Sequence, residues 1–391
     1  ATQPLDPHSA TPGGIWPVSL LWKEIRGNPL LWLLVCVPAV LVAEHLHLQT
    51  GTALFVLSVL AIVPLAALLS RATEAVAART GDTVGGLLNA TLGNLTELVI
   101  ALTALRAGEI MLVKASIAGA IVTNTLFMLG ASFLLGGLRH HTQEFNKASA
   151  RLQAGQLFLA TIALLVPSTV GGVSDGMGGG FVATLSLCLA AILIATYCLG
   201  LLFTLKTHRE FFGSVSHGDE EGHEPWPLPR VAGAYAGVEP LATLAGVTVL
   251  VALVSEIFVA SVQDAAETMG MSDAFVGFVV VALVGGAAEM ASAFSGARKD
   301  RLDLSVGIAL GSATQIALFA APVLVLASYA IAPAPMTLEF WPGAVVMMLV
   351  ATVTAALVCT GGRSAWFLGV LVLAVYLTFA TALYLLPPRG G

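Results

Sequence analysis

Charge is what this 391-residue chain has least of. Only 10% of its residues are Asp, Glu, Lys or Arg, where soluble domains carry about 25%. That scarcity excludes a water-facing surface over most of the molecule. Cysteine is sparse too: Cys36, Cys188, Cys198 and Cys359 lie in apolar segments at no metal-ligand spacing. They read as buried free thiols rather than a zinc site or a disulfide framework. Long polar connections are missing except near 206–239, and no basic-then-apolar leader pattern opens the chain. What remains is apolar: 57% of residues are hydrophobic and the mean hydropathy is +0.90. One core cannot hide that much, so lipid is the natural solvent.

Crossing roughly 30 Å of hydrocarbon takes about 20 helical residues. Apolar runs of that order fall near 29–45, 52–70, 81–105, 111–138, 152–170, 179–205, 240–262, 273–297, 302–330, 341–360 and 365–386. The expected fold is therefore all-α and integral to the membrane, with about 11 transmembrane helices. An odd count puts the termini on opposite sides. With the N-terminus cytoplasmic and the C-terminus outside, 14 of the 17 basic residues fall inside, leaving Arg106, Lys114 and Arg389 outside. That asymmetry is the one membranes impose.

The two halves resemble each other. GDTVGGLLNATLGNLTELVIALTAL (81–105) lies over DAFVGFVVVALVGGAAEMASAFSGA (273–297) at a constant offset of 192, which pairs Gly93 with Gly285, Glu97 with Glu289 and Gly119 with Gly311. By the charge count the two segments run in opposite directions, so the repeats are inverted. The expected organisation is a cytoplasmic tail (1–28), an additional first helix (29–50), a five-helix repeat (51–205), an acidic cytoplasmic loop (206–239) and a second five-helix repeat (240–391). Inverted repeats with glycine-interrupted helices point to a transport site at the bilayer midplane. The loop carries His217, Asp219, Glu220, Glu221, His223 and Glu224 before a Pro-rich stretch. It reads as a solvated linker, or as a weak sensor of divalent cations.

Glu97 and Glu289 are the central chemistry. A carboxylate at membrane depth costs at least a few kcal/mol, and two at matching places are hard to dismiss as incidental. The bland alternative is a pair of protonated glutamates satisfied by the structure. Around them, Gly93 and Gly285 let each helix unwind and offer backbone carbonyls. Thr96 lies beside Glu97, while GAIVTN brings Asn124 and GSATQ brings Ser312, Thr314 and Gln315. Two carboxylates plus neutral oxygens suit a hard divalent ion such as Ca²⁺, and no paired His or Cys offers a zinc site. Burial and mutual repulsion also favour protons on the same pair, so Ca²⁺ and H⁺ would compete for one site. Three further acids are candidates for gating or proton transfer. Glu74 and Glu267 lie near the ends of their spans, where plain helix-end solvation is the alternative. Glu256 lies within a span, where proton relay and a local structural role are both open.

At these residues the chain resembles the cation/proton exchanger (CAX) family of the Ca²⁺/cation antiporter superfamily. GNLTELVIALTALRAGEIMLVKASIAGAIVTN looks like that family's first α-repeat, and AAEMASAFSGARKDRLDLSVGIALGSATQIALF like its second. The resemblance implies a Ca²⁺/H⁺ antiporter in which Glu97 and Glu289 bind Ca²⁺ and protons, and in which Asn124 and Gln315 line the pathway. It also implies an acidic cytoplasmic loop after the sixth span. The chain departs from the family's second core, with Gly286 where an Asn is usual and Met290 where a His is usual. Asn94 stands in the first core, which leaves the implied site asymmetric.

The implied partners are Ca²⁺, H⁺ and the lipid bilayer, with no cofactor, no nucleic acid and room for a homo-oligomer. Compact loops suggest a prokaryotic inner membrane. Na⁺-coupled or broader divalent exchange is the neighbouring reading, favoured by the two departures. An intramembrane protease would also use two buried acids but has no need of inverted repeats, and a passive channel would need a continuous pore.

Overall fold

The computed structural model describes residues 29–46, 51–80, 91–171, 180–208 and 239–386, together with 85, 87 and 88. The expected tail over 1–28 and the acidic stretch of the central loop lie outside the described residues.

Each apolar run read from the sequence holds helix, but not each is a continuous span. Eight helices are long and apolar enough to cross a bilayer unbroken. They are α2 (Gly51–Ala77), α4 (Ile110–His140), α5 (Lys147–Gly171), α6 (Gly180–Thr207), α7 (Glu239–Met269), α10 (Leu302–Ile331), α11 (Pro342–Cys359) and α12 (Trp366–Tyr384). A ninth span is a pair, α8 (Asp273–Gly285) and α9 (Ala287–Arg298), bent by 61°. Two expected spans are shorter. α1 (Cys36–His45) continues a 3₁₀ segment, Pro29–Val35. α3 (Leu95–Arg106) is 12 residues long and begins after a turn at Gly93 and Asn94. Among the described residues the count is thus eight, or nine with the bent pair, while part of the expected span 81–105 lies outside the described residues. Glycine has little to lose by leaving the helix, so hydropathy runs straight across breaks that the backbone makes there.

The helices pack as apolar rods with lipid outside. α2 lies against α7, with Phe55 stacked on Phe258 at 5.3 Å between ring centroids. On the periphery Leu159, Leu199, Val249, Leu357 and Leu377 are exposed, a surface that water would not tolerate at this extent. The cysteines correct one expectation. Only Cys359 is buried, Cys36 is half-buried, and Cys188 and Cys198 are exposed on α6. A thiol in an apolar segment faces lipid as readily as the interior.

The offset of 192 recurs in the backbone. π-turns interrupt α4 at Thr123–Met128 and α10 at Ile316–Ala320, which are matching positions. Such turns place an extra residue in the helix and gather at functional sites. The turn after α3 has Gly108 at φ 84°, and the turn after α9 has Asp300 at φ 59°. Asp is one of the few other residues that tolerate this conformation. Gly119 marks a close crossing: a Cβ there would run into the backbone of Phe278. No larger residue lets α4 and α8 approach so closely.

One element had no apolar signature to announce it. β1 (Thr142–Glu144) pairs antiparallel with β2 (Arg363–Ala365), in the register Thr142 to Ala365 and Glu144 to Arg363. This ladder joins the α4–α5 turn to the α11–α12 turn. Gln143 reinforces it by donating from Nε2 to Ala297 O (3.0 Å) and Asp300 Oδ1 (2.7 Å).

Candidate functional site

The breaks before α3 and α9 determine where the glutamates sit. Asn94 caps α3 with φ −97° and ψ 31°, and Gly286 caps α9 with φ −79° and ψ 6°. Glu97 and Glu289 are then each the third residue of their helix. The first-turn N–H groups have no partners within the helix and carry the positive end of its dipole. A carboxylate is favoured there for local reasons, before any ligand is considered.

The two breaks face each other. A Cβ on Gly285 would lie 2.9 Å from Glu97 Cγ, so the side chain of Glu97 rests on the glycine of the opposite break. The two carboxylates are within electrostatic reach of one another. Both residues are half-buried. Glu289 Oε2 is closed off and has no hydrogen-bond partner, an arrangement a buried anion does not sustain without a cation or a proton.

Four polar side chains link the helices around this pair. Asn94 Nδ2 donates to Gln315 Oε1 (2.8 Å), and Ser312 Oγ donates to Asn94 Oδ1 (2.7 Å). Asn124 Nδ2 donates to Ser312 Oγ (2.8 Å), and Ser312 also neighbours Glu289. Asn94, Asn124 and Ser312 are buried. The chain Gln315–Asn94–Ser312–Asn124 therefore ties the break before α3 to both π-turned helices. It directs the carbonyl oxygen of each amide to a defined place. Asn124 Oδ1 lies 3.7 Å from where a Cβ on Gly286 would be, and Met290 Cε lies 3.2 Å from the same point. The two departures from the family pattern are thus in contact, the methionine filling space above the glycine.

Of the expected residues, Glu97, Glu289, Asn94, Asn124, Gln315 and Gly285 come together here. Gly93 lies at the break itself, and Thr96 is buried in the first turn of α3. The three outlying acids do not join them. Glu74 and Glu267 are exposed on α2 and α7. Glu256 is exposed and pairs with Arg106, Oε1 to Nη1 at 3.5 Å. Ser312, expected only as one of several hydroxyl and amide oxygens near the pair, is the point where Asn94 and Asn124 meet. At the offset of 192 it falls on Ala120, so the repeat comparison gave it no counterpart.

Fold and site together define a polytopic α-helical membrane protein with a carboxylate pair held between two broken helices. The family model for sodium/calcium exchanger proteins matches residues 50–206 and 240–385. The Ca(2+)/H(+) antiporter of Aphanothece halophytica is 40% identical over 362 residues, covering 91% of this chain and 96% of that protein. The Ca(2+)/H(+) antiporter ChaA of Bacillus subtilis is 37% identical over 364 residues, covering 92% and 100%. The solved structure of native YfkE superposes with a TM-score of 0.76 at 34% identity, covering 91% of this chain and all of that one. The chain belongs to the sodium/calcium exchanger protein family.

Proposed function

We propose that the protein is a secondary active antiporter, not an enzyme, which exchanges Ca²⁺ for H⁺ by alternating access. Glu97 and Glu289 form the shared site. The observation that carries this reading is the pair of first-turn glutamates on facing helix breaks, one of them with an unpartnered buried oxygen. Ca²⁺ takes six to eight oxygen ligands. Two carboxylates, the amide oxygens of Asn94, Asn124 and Gln315, and carbonyls freed at Gly93 and Gly285 supply donors of that kind. Thr96 stands beside them as a further hydroxyl. When Ca²⁺ leaves, protons neutralise the same carboxylates, because two adjacent anions are unstable at membrane depth. Exchange follows if the site reorients only when neutralised by one ion or the other.

The same reading takes 51–205 and 240–391 as inverted five-helix repeats, with 29–50 an added helix and 206–239 a cytoplasmic loop. It places the protein in a prokaryotic inner membrane, with the N-terminus on the cytoplasmic side and the C-terminus outside. The matching breaks, π-turns and positive-φ turns at one offset support the repeats. Glu74 and Glu267 are then acids that concentrate cations near the gates.

Ca²⁺ uptake into proteoliposomes, driven in turn by a pH gradient and by a Na⁺ gradient, tests the proposal. Uptake that collapses when a protonophore dissipates the pH gradient is expected. Uptake that ignores pH and follows Na⁺ would establish the Na⁺-coupled reading, which Gly286 and Met290 favour.

Two milder outcomes are expected in the same assay. Gly285→Ala places a methyl against Glu97 and raises the half-saturating Ca²⁺ concentration by about tenfold, equivalent to about 1.4 kcal/mol. Glu256→Gln changes the rate less than about twofold, because an exposed ion pair contributes little. A loss of proton coupling in Glu256→Gln would instead make that residue a relay.

A further inference from the structure

A groove of about 850 Å³ runs down the periphery of α5, with the end of α6 as its other wall. At its head stand Lys147 and Arg151, and below them it is lined by Gly155, Phe158, Leu159 and Phe203. Lys147, Arg151, Gly155 and Leu159 are spaced by four, so they form one stripe along the helix. Leu159 is exposed, and a Cβ on Gly155 would meet nothing within 4 Å. The groove is therefore open to the bilayer along its length.

The two cations are poorly explained by the protein around them. α5 starts at Lys147 with Asn146 Oδ1 capping the N–H groups of Ala148 and Ser149, both at 3.0 Å. A lysine in the first turn opposes the helix dipole. An arginine four residues on adds like-charge repulsion. Both are exposed, and no carboxylate forms an ion pair with either among the described residues. Each choice costs α5 stability, which points to an anion supplied from outside the helix.

We propose that this groove binds an anionic phospholipid, its phosphate between Lys147 and Arg151 and an acyl chain along Gly155, Phe158 and Leu159. The chemistry fits that occupant on both counts. Charge is confined to the end where the span begins, and apart from Gln156 the remainder of the wall is apolar. A soluble phosphate would leave the apolar length empty, and an uncharged lipid would leave the two cations unmatched. The other face of α5 meets α10, where Thr314 Oγ1 donates to Gln153 O at 3.4 Å. A lipid seated here thus bears on the helix that carries Ser312.

The test titrates the full-length, delipidated protein with phosphatidylglycerol and with phosphatidylcholine, read by native mass spectrometry. Phosphatidylglycerol is expected to bind more tightly by roughly thirtyfold, about fivefold for each interfacial cation. The double variant Lys147→Gln/Arg151→Gln removes that preference and leaves phosphatidylcholine binding unchanged. Gly155→Leu, which fills the groove without touching a charge, weakens both lipids. Wild-type preference in the double variant, or no effect of Gly155→Leu, overturns the proposal. So does a preference that emerges only after Asp219, Glu220, Glu221 and Glu224 are neutralised, since the chain's own acidic segment would then be the occupant.

Discussion

Glu97→Gln and Glu289→Gln should each reduce gradient-driven Ca²⁺ uptake to the background of empty liposomes. Glutamine keeps the shape of each residue but replaces one carboxylate oxygen with an NH2 donor, removing the charge, a ligand oxygen and the protonation site together. One carboxylate then faces a divalent ion alone, in a site whose other ligands are neutral. Leaving a buried charge uncompensated costs about 3–5 kcal/mol, which weakens binding by at least about a hundredfold. Folding should not suffer. Glu289 Oε2 has no partner to lose, and the Gln315–Asn94–Ser312–Asn124 chain does not depend on either charge. Unchanged melting temperature with lost uptake is therefore the expected pair of results. Uptake within a few-fold of wild type in either variant would remove that residue from the site. In the wild type, proton competition should weaken apparent Ca²⁺ affinity as the pH falls. The logarithmic slope should approach about two where both carboxylates take up protons.

Substitution of Gly119 should be the most damaging change away from the glutamates. A Cβ at this position meets the backbone of Phe278, including its carbonyl oxygen. A side-chain tip could swing aside, but a helix backbone cannot move without its neighbours. Gly119→Ala should lower the melting temperature markedly, and Gly119→Leu should leave little folded protein after solubilisation. Both follow from overpacking against a rigid partner. Gly307→Ala on α10 is the matched control, because nothing lies within 4 Å of a Cβ there. That variant should be neutral or slightly stabilised, since alanine is the better helix former. A Gly119→Ala protein that melts with the wild type would show that α4 and α8 are looser than their geometry implies.

Much of this was legible in the residues, for identifiable reasons. Hydropathy depends on composition along a segment, so every apolar run located a helix. It is blind to where the backbone leaves the helix, which is why the segments around Asn94 and Gly286 read as continuous spans. The glutamates stood out because charge is scarce in such segments and because both halves carry one at the same offset. Ser312 was legible only as one of several oxygens near the pair, since a serine among small residues equally serves close packing. Its role arises only when Asn94 and Asn124, from distant parts of the chain, converge on it. The Arg106–Glu256 pair was hidden for the same reason, its partners being 150 residues apart. β1 and β2 were illegible because three-residue strands of polar and small residues carry no alternation to detect.

The ladder between β1 and β2 also sets which kinds of sequence change the protein can absorb. Its hydrogen bonds run between backbone groups, so most substitutions at 142–144 or 363–365 leave them in place; the exceptions are Gln143, with its two side-chain bonds, and Glu144 and Arg363, which form an ion pair across the ladder. Insertion or deletion of one residue is a different matter, because it slips the register and turns every side chain to the opposite face. Over evolutionary time these turns should keep a fixed length and, apart from Gln143 and the positive-φ Gly362, drift in identity, whereas ordinary surface loops tolerate changes of both kinds.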